Sequence, residues 1–192
     1  MITIGFAVCG SFCTFKSVFK EIEKLVALGY EVIPIMSENA YSLDTRFGEA
    51  EFWQNEFKRI TKRDIIHTIT AAEPIGPKKL LDALVIAPCT GNTLAKLANG
   101  ITDTSVTLAA KAHLRNARPL VLAVSTNDAL SGAAKNIGKL LNYKNTYFVP
   151  FRQDSFTNKP CSCVADFTLL EKAIESALNG VQIQPVLELP LA

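Results

Sequence analysis

The chain has 192 residues, 48% of them hydrophobic and 20% charged, with a net charge of +2 from 20 Lys and Arg against 18 Asp and Glu. That length suits one domain with a substantial core, and that composition is ordinary for a globular chain. The balanced charge gives no basis for a nucleic-acid or membrane surface, and no apolar run reaches the roughly 18 residues that cross a bilayer.

Met1 to Val8 lacks a charged leader and a small-residue cleavage site, so it reads as a strand and not as a signal peptide. A cytoplasmic location is therefore expected. The five cysteines (Cys9, Cys13, Cys89, Cys161 and Cys163) are then expected as thiols. Their spacings match no common zinc pattern, so no metal is expected.

Residues 2–9 are almost wholly apolar, as a strand covered on both faces must be. Phe15, Val18, Phe19, Ile22, Leu25 and Val26 recur at helical spacing, and Gly29 follows where a left-handed C-cap is wanted. A second strand, 31–36, ends in the polar Ser37-Glu38-Asn39. Residues 49–60 are helical, with Phe52, Trp53 and Phe57 apolar, and Trp53 fits packing or a subunit contact. A short strand is expected at 65–68. Pro74-Ile75-Gly76-Pro77 is a turn whose Pro77 can open a short helix.

Residues 84–87 form a central strand that stops at Pro88. A loop of small hydroxyl and amide residues follows, then a helix over 92–98 broken by Asn99-Gly100. Asp103 is the expected cap of the next helix, which carries Val106, Leu108, Ala109 and Leu114. Pro119 introduces a strand at 120–124, Ser125-Thr126-Asn127-Asp128 ends it, and a helix runs from about 130 to 141. Residues 147–149 are a further strand and 151–164 a mixed loop. Asp166 caps the last helix, which bears Leu169, Leu170, Ala173, Ile174, Ala177 and Leu178 and is followed by Gly180. The tail, 181–192, is expected to be extended.

Alternating strands and helices imply parallel strands joined by crossovers. The predicted fold is α/β: a doubly wound, mainly parallel sheet in a three-layer sandwich, Rossmann-like or flavodoxin-like, forming one domain over 1–192. Ligands bind such sheets beyond the carboxyl ends of the strands. Four of those ends are small and polar: Gly10-Ser11, Ser37 with Asn39, Pro88 to Thr93, and Ser125 to Asn127. A dinucleotide-binding turn needs three glycines at set spacing, but here Gly10 stands alone and Phe12 and Thr14 fill places for small residues. No phosphate loop ending in Gly-Lys-Ser/Thr occurs. A mononucleotide remains, its phosphate held by backbone N–H groups and by hydroxyls such as Ser11, Ser37 and Thr90. The alternative is a set of strand ends capped by turn-formers.

Pro88-Cys89-Thr90-Gly91-Asn92-Thr93, with Ala95-Lys96-Leu97-Ala98-Asn99-Gly100-Ile101-Thr102-Asp103, resembles the Pro-Ala-Ser-Ala-Asn-Thr motif of the FMN-binding flavoprotein family. That family includes cysteine-carboxyl decarboxylases and flavin prenyltransferases. Ser125-Thr126-Asn127 falls where the decarboxylases carry Pro-x-Met-Asn; Asn127 matches the asparagine, and the proline and methionine are absent. One branch of the family, the B subunits of dipicolinate synthases, is similar along nearly the whole chain. The similarity takes in 72–82, Lys135-Asn136-Ile137-Gly138, 147–154, 159–165 and Gln182-Ile183-Gln184-Pro185.

That resemblance implies a subunit that makes dipicolinic acid during endospore formation, in the mother-cell cytoplasm. It implies an NAD(P)-binding A subunit as partner, with NAD(P) on the partner and FMN on this chain. The implied substrate is a small dicarboxylate from the dihydrodipicolinate branch of lysine synthesis. Family members are often trimers or assemblies of trimers. The alternatives are a stand-alone FMN-dependent decarboxylase of cysteine-terminated substrates, and a non-catalytic scaffold that kept the fold.

On this reading Gly10 and Ser11 contact phosphate, with Ser37 as second-strand partner. Thr90, Asn92 and Thr93, in the loop opened by Pro88, bind phosphate or ribityl oxygens, and Asn99 reaches the same pocket. Asn127 bonds the flavin edge or a substrate carboxylate. Plainer roles stand beside these: Asn92 and Asn127 as helix N-caps, and Asn99-Gly100 as a helix stop. The catalytic group is open, with Asn127, His67 and Arg152 as candidates. His67 precedes the motif as the decarboxylases' histidine does, across a longer segment, and otherwise is a strand histidine. Arg152 and Lys159 suit a dicarboxylate, although the family pattern has glycine at the Arg152 place. Asp128 and Asp154 are acid–base candidates or surface caps. Cys161 and Cys163 resemble a lid cysteine or are loop thiols.

Overall fold

A strand apolar on both faces has to lie inside a sheet covered twice. The computed structural model, which describes residues 1–189, meets this requirement with a seven-stranded sheet. In chain order the elements are β1 (Thr3–Val8), α1 (Phe15–Ala27), β2 (Glu31–Met36), α2 (Glu38–Ser42), α3 (Ala50–Thr61), α4 (Ile69–Ala72), β3 (Ala83–Cys89) and α5 (Gly91–Ala98). There follow α6 (Ser105–Leu114), β4 (Leu120–Thr126), α7 (Ala134–Leu141), β5 (Thr146–Phe148), β6 (Phe151–Gln153), β7 (Cys163–Ala165) and α8 (Leu170–Leu178). The strand order is β2-β1-β3-β4-β7-β6, with β5 paired to β4. All pairs among β1 to β5 are parallel, whereas β7 joins β4 and β6 in antiparallel pairs.

Every residue of β3 is buried, and β1 is buried from Ile4 onward. The expected stripe of α1 packs inward as Phe15, Val18, Phe19, Ile22 and Leu25, and Gly29 takes φ +90° just past the helix end. Helix α1 packs with α3 and α8, whereas α5 packs with α6 and α7. These are the two helical layers of the expected sandwich. The chain therefore reverses its winding between β1 and β3, and a crevice opens at the carboxyl ends of these two strands.

Several boundaries differ from the expectation, each for a local reason. Pro88 does not end its strand; β3 continues through Cys89, with a register shift against β4 between Ile86 and Cys89. Residues 65–68 form no strand, only a single bridge from Ile66 to Ile35. Pro77 opens no helix, because the helical turns come earlier, at α4 and at Glu73–Ile75. Thr104, not Asp103, caps α6: Thr104 and Thr107 form a reciprocal capping box, and Asp103 instead pairs with Lys96 at 2.8 Å. The helix expected from 130 begins at Ala134, after turns whose amides at Ser131 and Ala133 donate to the Asp128 carbonyl. The expected loop at 151–164 holds β6 and opens into β7 at Cys163. In the tail, Leu187 bridges to Phe151; residues 190–192 of that expected extended segment lie outside the described residues.

One buried group sets a pH dependence. His113 on α6 is 1% exposed, with Nε2 2.9 Å from the Pro119 carbonyl oxygen. Burial lowers its pKa from 6.5 to about 4, against the opposing pull of that hydrogen bond. Between these values the unfolded chain binds a proton that the folded chain refuses, so stability rises with pH across the window and falls on acidification. The whole effect is about 3 kcal/mol. Urea unfolding at pH 7 and at pH 4 should show this loss, and His113→Gln should remove most of it; an equal loss in the variant would assign the slope to other groups.

Candidate functional site

The bend after β3 is built by its own hydroxyls. Thr90 is the N-cap of α5, its Oγ1 accepting from the Thr93 amide at 3.4 Å and lying 3.1 Å from Thr93 Oγ1. Thr93 Oγ1 in turn donates to Cys9 Sγ at 3.3 Å, which ties this bend to the end of β1. With the third amide of the helix capped, the amides of Gly91 and Asn92 are left without an acceptor among the described residues. Ser37 repeats the device at the end of β2, where its Oγ accepts from the Ala40 amide at 3.3 Å. Ser37, used here only as an acceptor, still has its own proton to donate outward, whereas the Thr90 proton goes to Thr93 Oγ1.

Gly10 and Thr90 stand at the junction of two chambers. The smaller, about 320 Å³, is enclosed by Gly10, Ser37, Asn39, Thr90, Asn92, Thr93 and Thr104, with Glu38 and Lys96 at its margin. The larger, about 580 Å³, extends over Ser11, Ser125, Thr126 and Asn127 to Asp154, Lys159 and Ser162, and Arg46 and Phe47 also line it. Ser11 and Ser125 hydroxyls meet at 2.7 Å and join the ends of β1 and β4.

Gly91 permits the start of α5 to lie close against the end of β4. A Cβ there would come within 2.7 Å of both Asp128 Oδ1 and Thr126 Oγ1, which share a 2.6 Å hydrogen bond. At the floor, burial pushes the Cys9 thiol up to about 11, despite the Thr93 hydrogen bond, and raises Cys89 as well. Both thiols stay protonated at neutral pH, so neither is a nucleophile there. In the larger chamber burial opposes the charge of Asp154. The Ser162 hydroxyl and the Lys159 ammonium, 3.2 Å away, outweigh it and hold the carboxyl below its ordinary value. Burial, together with Asp154 and Cys161 nearby, raises the Cys163 thiol.

Gly10, Ser11, Ser37, Thr90, Asn92, Thr93 and Asn127 are thus brought together around one cleft. Pro88 lies buried inside β3, and no surface of it lines either chamber. Asn99 lies at the far end of α5, with its amide donating to the Ala95 carbonyl at 2.8 Å; it acts as the helix stop and not as a pocket residue. Asn92 is inside α5 and Asn127 lies seven residues before α7, so neither is the N-cap offered as an alternative.

His67 lies outside the cleft, stacked on Tyr41 at 3.7 Å between ring centroids. Arg152 is committed elsewhere: it pairs with Asp166 at 3.3 Å and Glu188 at 2.5 Å. Cys163 sits in β7 against the larger chamber. Asn39 belongs to one of the four polar strand ends, whereas Thr104, Arg46 and Phe47 line the cleft without being singled out by the sequence. The Thr104-x-x-Thr107 spacing is a usable signal for the α6 cap, but Arg46-Phe47 carries none.

The chain belongs to the flavoprotein family, whose sequence profile matches residues 1–169. It is 49% identical to the dipicolinate synthase B subunit of Bacillus subtilis (strain 168) over 184 residues, which are 96% of this chain and 92% of that protein. Among solved structures, the dipicolinate synthase B subunit of Bacillus halodurans superposes with a TM-score of 0.91 at 46% identity, covering 99% of this chain and 97% of that one. The FMN-dependent cysteine decarboxylase SpaF shares the fold, with a TM-score of 0.68 at 22% identity over 92% of this chain and 97% of its own.

The close approach at Gly91 gives a direct test. Gly91→Ala should destabilise the chain by about 1–3 kcal/mol, because two hydrogen-bonded oxygens must move. The same change in a Thr126→Ala, Asp128→Ala background should cost much less, as read from urea midpoints. Equal costs in both backgrounds would mean that the oxygens do not limit this site.

Proposed function

We propose that the cleft binds FMN and that this chain is the flavoprotein subunit of a dipicolinate synthase, working with an NAD(P)-binding A subunit. The observation that carries the cofactor assignment is the start of α5, where the Gly91 and Asn92 amides have no acceptor among the described residues and where Asn92 lines the smaller chamber together with Ser37. Backbone N–H groups at a helix start favour a phosphate, and the helix dipole adds to them. Gly10 of the β1 bend lines the same chamber, and a Cβ there would crowd the Phe12 ring at 3.3 Å. Ribityl oxygens suit Asn92, Thr93 and Thr104. The larger chamber has both the room and the mixed polarity for a ring system beside a substrate. These donors fit FMN.

When bound, the flavin supplies a two-electron acceptor for oxidising a dihydrodipicolinate-pathway intermediate. This chain's residues hold it and exclude solvent from it, while Asn127 and Ser162 offer polar contacts to a substrate. The 49% identity to a protein of that name supports the reaction. The missing dinucleotide fingerprint after β1 supports a division in which the A subunit carries NAD(P). A cytoplasmic site in the mother cell, and a trimer or assembly of trimers, belong to the same reading.

Two measurements test it. Ser37→Ala should weaken FMN binding roughly tenfold, about 1.5 kcal/mol for a lost hydrogen bond to a charged group, and leave riboflavin binding unchanged. Equal loss for both flavins would move the phosphate elsewhere. Coexpression with an A subunit should yield dipicolinate only when this chain is present; equal product without it would remove the function.

A further inference from the structure

The larger chamber contains a cation that neither the fold nor the proposed cofactor uses. Two cationic side chains face it, Arg46 and Lys159, and one carboxylate, Asp154. Lys159 and Asp154 pair at 3.2 Å and neutralise each other. Arg46 has no carboxylate partner among the described residues, so one positive charge is left over.

The position of Arg46 is built. Thr45 and Gly48 exchange backbone hydrogen bonds at 3.1 and 3.0 Å, which closes a tight turn with Arg46 and Phe47 at its tip. Asp44 accepts from the Ala50 amide at 2.8 Å and anchors the turn to α3. Gly48 has φ +135°, and a Cβ there would meet Trp53 Nε1 at 2.6 Å, so the turn lies flat on that buried indole. The Arg46 guanidinium carbon stands 4.8 Å over the Phe47 ring. Stacking of this kind orients the planar fork and leaves its N–H edge for an anion.

The geometry points to Arg46 as the residue that binds a carboxylate of the substrate, in the chamber that Asn127 and Ser162 also line, with Phe47 as the rest that orients it. The inference rests on the proposed function for the substrate's chemistry: a small planar molecule bearing carboxylates. The fork of an arginine takes a carboxylate through two parallel hydrogen bonds, which fixes orientation as well as affinity. The anion of the cofactor is served separately, by the amides and Ser37 in the other chamber.

The test uses the full chain loaded with FMN and dipicolinate as the probe, by titration calorimetry, with the uncharged pyridine-2,6-dicarboxamide as control. Arg46→Gln should weaken dipicolinate binding at least about tenfold and leave FMN affinity and diamide binding unchanged. Arg46→Lys should recover only part of the loss. Gly48→Ala, which alters no charge, should weaken dipicolinate binding by tilting the turn. Unchanged dipicolinate affinity in Arg46→Gln overturns the assignment and leaves the proposed function standing. Loss of FMN affinity in step with dipicolinate overturns it by making Arg46 a cofactor residue. Failure of the unaltered holoprotein to bind dipicolinate, with no dipicolinate formed on coexpression, overturns both.

Discussion

The geometry of this protein depends on two parallel strands, β1 and β3, that are too apolar to end anywhere but inside. They lie side by side with Ile4 to Ala7 opposite Ala83 to Ile86, and the helices that follow them leave to opposite layers. Where the layers part, the bend after β3 leaves the amides of Gly91 and Asn92 without an acceptor among the described residues. Water, turn hydroxyls or a ligand has to satisfy them. The cleft follows from that parting, and the chemistry of the cleft follows from which groups satisfy the amides.

The hydroxyls around the bends serve two purposes at once. Thr90 and Ser37 each accept from a helix amide, which holds their oxygens in place. Thr93 is oriented by the Cys9 sulfur behind it, and Ser11 by Ser125. A site whose donors are already aligned needs little reorganisation when an anion arrives, so more of the interaction is expressed as affinity. The same crowding explains the glycine at position 91, where the flavoprotein motif has alanine. Here the space beside the helix start is filled by the hydrogen-bonded Thr126 and Asp128.

The parallel half of the sheet was legible because burial on both faces leaves long apolar runs, and four of the strand ends were legible because small polar residues cluster there. The antiparallel half was not. β6 and β7 are three residues each, too short for an alternating pattern, and they become strands only because the end of β4 offers Ser125 and Thr126 for pairing. Cap assignments failed where two candidates were adjacent: Asp103 and Thr104 both suit a helix start, and Thr107 three residues further on decides between them. Asn99 and Asn127 show the limit of motif matching. Both belong to matched segments, yet one bonds its own helix and the other faces the chamber.

The charged residues were the least legible, for a reason of physics. A cation's role depends on which carboxylates lie within about 4 Å, and those are set by tertiary structure. Arg152 suited a dicarboxylate on sequence alone, but Glu188, 36 residues away, closes on it when the tail pairs with Phe151. Half-buried between two carboxylates, it holds the tail to the sheet and has no charge to spare. Arg46 is the converse case. It sits near Asp44 and Glu49 in sequence, where neutralisation would be assumed, but Asp44 is turned to the Ala50 amide and the tight turn lifts the guanidinium onto Phe47. The net charge of the chamber is therefore a product of loop geometry, which the packing of Gly48 on Trp53 helps to set.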